Sequence, residues 1–431
     1  MIVGLCVQCT QKGGIPLAKD EYKNIIVGLD IGTSKIACVV AEVSPDNRLD
    51  VIGIGTHPSR GLKRGVVVNI ESTVEAIRLA VEEAELMAGV EITSVFVGIA
   101  GSHIRGRNSH GAVAIKNGEV LKEDVQRAID VAKACAIPGN EKILHILPQE
   151  YIIDEQDGIR EPIGMSGVRL EARIHMITSA VSSAQNIIKC CKRCRLDVAD
   201  MVLEQVASSE AVLGQDEKDI GVVLIDIGGG TTDMAVFVDG AICHTAVIPL
   251  GGDHLTSDLV NCLRTSAREA NLLKIKHGSC VVEMVDPNEQ IEVPGVGGRA
   301  SSPMSRQVMV QYLEARMLEI LEYVRAELKN SGYEDMVAAG LVITGGSSLL
   351  DGMVELAEQT FDGLPVRLGS AQKIGGLVDV VSSPIYATAV GLLLYGQQHH
   401  MHDVHMDTGL ESEVSHVGMW QKLRQWFGDT K

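Results

Sequence analysis

The chain has 431 residues, more than one domain usually contains, so we expect at least two domains with their own hydrophobic cores. Its net charge of −18 argues against a general affinity for nucleic acid, because neutralising phosphates requires a basic surface. The ten cysteines do not form the regular framework of a small secreted domain, which predicts reduced thiols and a cytoplasmic location.

Two segments about 196 residues apart share a strand–turn–strand pattern. In each, a short apolar run ends on an aspartate, a glycine-containing turn follows, and a second apolar run begins. The segments are Ile25–Asp30, Ile31–Ser34 and Lys35–Ala41 in the first half, and Val222–Asp226, Ile227–Asp233 and Met234–Val238 in the second. The repetition predicts an internal duplication.

The residues of these two turns suit a phosphate clamp. Glycine lets backbone N–H groups approach phosphate oxygens without an intervening Cβ. One such turn on its own would favour an ordinary tight hairpin, but the matching duplicate favours the clamp. Lys35 would add a positive charge, and Asp30, Asp226 and Asp233 are predicted to hold Mg²⁺ through its bound water. The predicted phosphate contacts are Gly32, Thr33, Ser34, Gly228, Gly229, Gly230, Thr231 and Thr232.

A third glycine-containing element runs over Leu341–Gly352, where a strand breaks on paired glycines and leads into a serine-capped helix. Paired glycines allow a flat ring or a ribose to lie against the backbone. The alternative is an ordinary strand–helix turn. Together with the other two turns, the element predicts a nucleoside contact at Gly345, Gly346 and Ser347.

The rest of the chain alternates helices and strands, apart from one region. Residues 104–180 change to short β-like runs around a helix at Lys122–Ala136, which predicts an inserted subdomain. The uncharged window Val380–Gln398 contains Pro384 and several polar side chains, so we interpret it as a buried helix starting near Pro384 and not as a membrane span. Other predicted elements are a strand at Ser94–Ile99 and helices at Ser72–Ala88, Ala184–Cys194, Glu204–Leu213 and Gln307–Lys329.

The last residues carry a separate signal. Residues 399–416 are polar and histidine-rich, which predicts a flexible linker. Both tryptophans of the chain follow, and tryptophan beside basic residues is typical of helices that bind an anionic membrane surface. Docking on the protein's own core is the alternative. Helical spacing puts Met419, Trp420, Leu423, Trp426 and Phe427 on one face and Lys422 and Arg424 on the other.

The two clamp turns and the third element, in this order and spacing, resemble the nucleotide motifs of the actin, Hsp70 and sugar-kinase superfamily. The resemblance implies a duplicated actin-like (ribonuclease H-like) α/β ATPase fold with ATP and Mg²⁺ as cofactors. It also puts Glu204 on a connecting helix, where Glu204 either orients the attacking water or is a plain surface carboxylate. Asn271 departs from the family pattern, since many relatives have an acid at this position, and Lys274 remains the candidate for ribose or adenine contacts.

From about residue 24 onward the chain resembles the FtsA family of bacterial cell-division proteins. The matching stretches are Pro148–Tyr151, Gly164–Val168, Asp226–Asp233, Thr344–Gly346, Ala387–Leu392 and the terminal helix. The resemblance implies self-assembly, binding to the tubulin-like FtsZ ring, and recruitment of later division proteins. It further implies a peripheral location on the cytoplasmic side of the inner membrane at the division site.

The resemblance also implies a division of the chain into domains. Residues 1–23 are interpreted as an N-terminal extension, because they precede the first predicted strand without a strong pattern. The first actin-like domain is predicted to be discontinuous and the second to carry a helical, FtsZ-binding subdomain. The predicted bounds are 24–103, 181–211 and 384–398 for the first domain, 104–180 for the inserted α+β subdomain, 212–383 for the second domain with its subdomain near 253–340, 399–416 for the linker and 417–431 for the amphipathic membrane-targeting helix.

An ATP-dependent phosphotransferase, or another actin-like ATPase, is the alternative function. We find no candidate for the catalytic aspartate of a sugar-acceptor pocket, and too few residues follow position 398 to form a peptide-binding domain. We therefore expect an ATP-binding structural protein with slow hydrolysis or none.

Overall fold

The computed structural model describes residues 24–406, with side chains described through residue 399. The predicted N-terminal extension (1–23) and the predicted membrane-targeting helix (417–431) lie outside the described residues. Within the described part of the chain, no helix is long and apolar enough to cross a membrane.

The elements of the first half alternate strands and helices, interrupted by a strand-rich region. They are β1 (Ile25–Ile31), β2 (Lys35–Val43), β3 (Leu49–Pro58), β4 (Leu62–Lys63), β5 (Val66–Val67), α1 (Ile70–Ala88), β6 (Ser94–Ile99), β7 (Arg105–Ala114), α2 (Lys122–Lys133), β8 (Glu141–Ile153), β9 (Gln156–Ile159), β10 (Arg169–Ala180), α3 (Val181–Arg193), β11 (Asp197–Leu203) and α4 (Glu204–Val212).

The second half repeats the strand hairpin and then becomes mainly helical. Its elements are α5 (Gln215–Ile220), β12 (Val222–Ile227), β13 (Thr232–Val238), β14 (Ala241–Ile248), α6 (Gly252–Leu263), α7 (Ala267–His277), β15 (Gln290–Val293), β16 (Ser302–Ser305), α8 (Arg306–Ser331), β17 (Leu341–Thr344), α9 (Met353–Thr360), β18 (Val366–Leu368), β19 (Ile374–Gly376), α10 (Val378–Val381) and α11 (Ala387–Met406).

The first domain is built on a six-stranded sheet in the order β11-β6-β1-β2-β3-β19. Its central strands are buried almost throughout, as expected for a sheet covered by helices on both faces. Helix α11 packs on β1 and α4, and this close approach depends on a glycine. A Cβ at Gly28 would lie 2.5 Å from the carbonyl oxygen of Ala389.

The second domain has a five-stranded sheet in the order β14-β13-β12-β17-β18. Strand β12 pairs antiparallel with β13 and parallel with β17, with Asp226 opposite both Asp233 and Thr344. The carboxyl ends of β12 and β17 therefore meet at one edge of the sheet. Helices α6, α8 and α9 complete a core that is separate from that of the first domain.

Residues 105–180 form their own four-stranded antiparallel sheet, β7-β10-β8-β9, with helix α2 packed on β7 and β10. This mixed unit interrupts the first domain between β6 and α3. Its small core is formed around Leu170, Ala172 and Ala128. The helix predicted over Lys122–Ala136 ends at Lys133.

The helix predicted to start near Pro384 is confirmed: a 3₁₀ turn at Pro384–Tyr386 leads into α11, whose residues from Ala389 to Leu394 are almost wholly buried. The predicted linker needs a correction at its start. Helix α11 continues to Met406, so residues 399–406 are helical. The reason is local, since no proline interrupts this stretch and a polar composition does not by itself stop a helix.

Candidate functional site

A cavity of about 390 Å³ lies between the two domains, at the turns of the β1–β2 and β12–β13 hairpins. This volume is typical of a small-molecule site. The predicted residues that line the cavity are Asp30, Gly32, Thr33, Ser34, Lys35, Glu204, Asp226, Gly228, Gly229, Gly230, Thr231, Asp233, Lys274, Gly345, Gly346 and Ser347.

The first hairpin brings an acid and a base to the cavity wall. Asp30 is the second-to-last residue of β1 and is 6% exposed. Its carboxylate accepts a hydrogen bond from Lys35 Nζ at 3.2 Å. A segment outside the hairpin stabilises the turn, because the backbone N–H of Gly65 donates to Thr33 Oγ1 at 3.0 Å. The antiparallel pairing of Ile31 with Ile36 fixes the turn between them.

The second hairpin touches the first across the cavity. A Cβ added to Gly229 would lie 1.7 Å from Ser34 Oγ, and one added to Gly230 would lie 2.6 Å from Thr33 Oγ1. Only glycine allows this approach. The first turn is also tied to helix α6, because Ser34 Oγ donates to Asp253 Oδ1 at 3.0 Å.

Five carboxyl groups line the cavity, and four of them, from Asp30, Glu204, Asp226 and Asp233, influence one another electrostatically. Burial raises the pKa of Glu204 well above its usual range, and the charges of Asp30, Asp233 and Asp226 raise it further. Burial, together with the charge of Asp226, raises the pKa of Asp233 to about 7. Like charges brought together in a buried place are stabilised by a nearby cation, and the two lysines of the cavity wall, Lys35 and Lys274, are fewer than the acids.

The carboxyl oxygens of these acids differ in how many hydrogen bonds they accept. Asp226 Oδ2 accepts from Ser208 Oγ at 2.8 Å and from Thr388 Oγ1 at 3.2 Å. Asp233 Oδ2 accepts from Thr231 Oγ1 at 2.8 Å, whereas Asp233 Oδ1 is buried and has no hydrogen-bond partner within the described residues. A buried oxygen without a partner is costly and indicates a missing water or ion.

The donor set fits Mg²⁺ held through water. Carboxylate and carbonyl oxygens are the ligands that Mg²⁺ prefers, and this ion usually keeps several of its waters. In the part of the chain that the structure describes, no three His, Cys, Asp or Glu side chains are close enough to hold a metal directly. A hydrated ion that contacts Asp30, Asp226 and Asp233 through its water would fit both the cluster of acids and the lack of a direct three-ligand site in the described residues.

The third element closes the cavity on its other side. Gly345 has φ = 87°, and a Cβ there would lie 2.4 Å from Asp226 Oδ1. Ser347 Oγ donates to the carbonyl oxygen of Gly228 at 3.1 Å, which joins this element to the second turn. Lys274 Nζ donates to the carbonyl oxygen of Gly252 and to Thr256 Oγ1, both at 2.9 Å. Apolar side chains, suited to a flat ring, complete this side of the wall: Ile275, Leu349, Leu350 and Ile385.

One predicted contact residue is placed elsewhere. Thr232 does not line the cavity, since its hydroxyl donates to the carbonyl oxygen of Leu250 at 2.9 Å. The reason is the two-residue period of a strand, which directs Thr231 and Asp233 toward the cavity and Thr232 away from it. Glu204, in contrast, lines the cavity and does not lie on the outer surface.

Three residues that hydrogen-bond to predicted site residues were not themselves predicted as part of the site. Asp253 follows the glycine pair after β14, so a glycine–acid pattern at a strand end was the available signal. Ser208 lies four residues after Glu204, on the same face of α4. Thr388 is at the start of α11, and its role is visible only from the three-dimensional contact with Asp226.

Comparisons with known proteins identify the family. The family model described as Cell division protein FtsA matches residues 223–391, and the model for the SHS2 domain inserted in FtsA matches residues 101–178. The chain is 51% identical to Cell division protein FtsA of Pseudomonas aeruginosa over 413 residues, covering 95% of this chain and 99% of that protein. It is 40% identical to Cell division protein FtsA of Escherichia coli K12 over 419 residues, covering 95% and 99%.

Solved structures show the same fold at low sequence identity. The PilM-PilN type IV pilus biogenesis complex matches with a TM-score of 0.63 and 14% identity, covering 86% of this chain and 98% of that one. MreB 5 of Spiroplasma citri bound to AMPPNP matches with a TM-score of 0.53 and 15% identity, covering 90% and 99%. The fold is therefore actin-like, with an inserted subdomain, and the chain belongs to the FtsA family of cell-division proteins.

Proposed function

We propose that this protein binds ATP with Mg²⁺ in the cavity between its two domains, and that the nucleotide controls its self-assembly in cell division. The observation that carries the proposal is the meeting of the two glycine turns across a cavity lined by five carboxyl groups. A triphosphate fits between turns whose N–H groups have no Cβ in the way. Binding of a nucleotide by the actin-like neighbour with AMPPNP supports this reading.

Each side of the cavity has a separate task in this proposal. The turns around Gly32 and Gly229 hold the phosphates, and Lys35 adds a positive charge beside them. Asp30, Asp226 and Asp233 hold the hydrated Mg²⁺, whose positive charge balances the negative charges of the acids. Gly345, Gly346, Ser347 and Lys274 contact the nucleoside, with Ile275 and Ile385 as apolar surfaces for its ring.

Hydrolysis is proposed to be slow. Glu204 is the candidate for orienting an attacking water, but burial and its acidic neighbours raise the pKa of this carboxyl group well above its usual range. A carboxyl group that stays protonated is a poor acceptor for the proton of water. Mg²⁺ would offset the charges of the neighbouring acids but not the burial of Glu204, which is the larger cause of the raised pKa. Slow hydrolysis suits a nucleotide-gated structural protein better than a fast phosphotransferase.

The division role extends the proposal to partners. Membership in the FtsA family supports self-assembly, binding of the FtsZ ring through the region near 253–340, and recruitment of later division proteins. The amphipathic pattern of 417–431, with Trp420 and Trp426 opposite Lys422 and Arg424, supports peripheral binding to the cytoplasmic face of the inner membrane. One helix of this length binds weakly, so an assembled array with many helices would bind firmly.

The nucleotide part is tested by calorimetric titration of the full chain with ATP, with and without Mg²⁺. We expect saturable binding that Mg²⁺ strengthens, and a smaller effect of Mg²⁺ in Asp30→Asn. Absence of saturable ATP binding would refute this part. Fast, substrate-stimulated turnover would favour the phosphotransferase alternative.

The membrane part is tested by sedimentation with vesicles containing anionic lipid. We expect the full chain to sediment with the vesicles and a chain lacking residues 417–431 to remain in solution. A variant with Lys422 and Arg424 both changed to Gln should show intermediate binding that is less sensitive to salt. Equal sedimentation of the full and shortened chains would contradict the anchor.

A further inference from the structure

The inserted subdomain contacts both halves of the molecule. It belongs by sequence to the first domain, where the ring of His145 in β8 accepts a hydrogen bond from the backbone N–H of Leu203 at 3.0 Å. Most of its contacts with the second domain are with β14, the edge strand of that domain's sheet. The subdomain therefore bridges the two walls of the nucleotide cavity from outside it.

Side chains of the subdomain cap the edge of β14. Gln149 Nε2 donates to the carbonyl oxygen of Ile242 at 3.1 Å, and Asn108 Nδ2 donates to that of Cys243 at 3.0 Å. An edge strand has unpaired backbone groups, and these two amides satisfy part of that edge. The subdomain is thus held on β14 by specific side-chain hydrogen bonds as well as by surface packing.

A buried histidine completes the contact. His175 is 1% exposed, with Nδ1 at 2.6 Å from Asn108 Oδ1 and Nε2 at 2.9 Å from Thr245 Oγ1. A neutral imidazole matches this pair, donating to the amide oxygen and accepting from the hydroxyl. Gly106 lies beside it, where a Cβ would meet Thr245 Oγ1 at 2.5 Å. Separating the subdomain from β14 would break the His175–Thr245 bond, whereas the His175–Asn108 bond lies within the subdomain and positions the ring.

Arg160 fixes the subdomain at the start of β14. Its guanidinium donates to Asp219 Oδ1 at 3.1 Å and to the carbonyl oxygen of Asp239, in the turn between β13 and β14. Asp219 lies in α5, which leads into β12 and its turn. The polar contacts therefore run from the β13–β14 turn to Thr245 in the middle of the edge strand.

Strand β14 leads directly to the cavity. Val247 pairs with Asp233, which lines the cavity. Four residues after β14 ends at Ile248, the backbone N–H of Gly252 donates to the carbonyl oxygen of Gly228 at 2.9 Å. A shift of β14 would therefore move both the second turn and an acid of the proposed Mg²⁺ site.

We propose that the inserted subdomain is a clasp: its docking on β14 holds the two domains closed over the cavity, and its release opens the cavity. A partner that binds to the surface of the subdomain would in this way change nucleotide binding in the cavity. This inference rests on the proposed function, since it treats the cavity as a nucleotide site.

Two variants of the full chain loosen the clasp by different routes. Gly106→Ala adds one methyl group that collides with Thr245 and His175, and Arg160→Glu reverses the charge that faces Asp219. Gly139→Ala is the matched control, because a Cβ at this subdomain glycine meets nothing within 4 Å. Adding Asp219→Arg to Arg160→Glu should restore the contact.

Hydrogen exchange of the nucleotide-free protein is the first measurement. We expect both loosening variants to speed exchange in β14 and also in 226–234 and 250–254, with no change in Gly139→Ala and recovery in the double charge reversal. Faster exchange in β14 without a change at the cavity would overturn the clasp. So would unchanged exchange in β14 in both variants.

Release of a fluorescent ATP analogue is the second measurement. We expect release about five- to tenfold faster in the loosening variants, the change that one or two lost hydrogen bonds produce. If the wild-type chain binds no ATP, the proposed function fails while the exchange data still decide the clasp. Normal binding with release rates equal to the wild type in both variants would overturn the clasp and leave the proposed function standing.

Discussion

Ser34 and Asp253 join the two domains directly across the cavity: Ser34 Oγ donates to Asp253 Oδ1 at 3.0 Å although 219 positions separate them. Ser34 lies in the first clamp turn, and Asp253 in the first turn of α6. Because a phosphate bound by the first turn would compete with Asp253 for the Ser34 hydroxyl, this bond couples the contact between the domains to phosphate binding.

We expect Ser34→Ala and Asp253→Ala to be non-additive in the nucleotide-free protein. Each removes the same hydrogen bond, so the coupling in the free energy of unfolding should be about 0.5 to 1 kcal/mol. Chemical denaturation of the single and double variants measures it. The control pair is Ser257→Ala with Asp253→Ala: Ser257 donates to the backbone oxygen of Asp253, so these effects should add. Additive effects for Ser34 and Asp253 would show that the contact contributes nothing.

The sign of the pH dependence follows from Asp233. Its folded pKa is about 7 against an ordinary value of 3.8, so folding favours the protonated form. The contribution of Asp233 to the stability of the Mg²⁺-free protein is therefore largest below about pH 4. This contribution falls as the pH rises toward 7 and is lost above it.

Asp233→Asn should remove this dependence, since the amide is neutral and its oxygen still accepts from Thr231. Between pH 5.5 and 8.0 we expect the wild type to lose about 2 kcal/mol more unfolding free energy than the variant. Denaturation in EDTA at both pH values measures the difference. Parallel losses in the two proteins would show that Asp233 is ionised throughout.

Ser208 and Thr388 are expected to position Asp226 for Mg²⁺. Both hydroxyls donate to Oδ2, at 2.8 and 3.2 Å, which leaves Oδ1 for the hydrated ion. Ser208→Ala and Thr388→Val should each weaken Mg²⁺–ATP binding about tenfold, as is usual for partners of a metal ligand, with little change for ATP in EDTA. Ser209→Ala is the matched control, because this neighbouring hydroxyl donates to the carbonyl oxygen of Val206 in its own helix. Equal losses with and without Mg²⁺ would point to a structural role.

Local patterns predicted most of the fold and of the cavity wall. The clamp turns are short-range features, fixed by glycines and by strand alternation, so Asp30 and Gly229 were found from sequence. The same alternation, applied strictly, would have excluded Thr232. Contacts between distant segments gave no such signal: Asn108 meets Cys243 across 135 positions and Ser208 meets Thr388 across 180. The linker prediction failed at its start because composition does not fix where a helix ends.

Gly345 and Gly363 separate two reasons for requiring glycine. Both have positive φ, 87° and 83°, where an L side chain is strained. At Gly363 a Cβ meets nothing within 4 Å, whereas at Gly345 it would lie 2.4 Å from Asp226 Oδ1 and 2.6 Å from the carbonyl oxygen of Ile227. Gly363→Ala should therefore cost only the backbone strain, roughly 1 kcal/mol.

We expect Gly345→Ala to cost at least roughly 2 kcal/mol more than Gly363→Ala, since backbone atoms of the second clamp turn must shift. It should also weaken ATP binding, whereas Gly363→Ala should not. Thermal unfolding and calorimetric titration of both variants give the comparison. Equal destabilisation by the two substitutions would show that the contact between Gly345 and Asp226 tolerates a methyl group. The nucleoside side of the cavity would then not depend on that glycine.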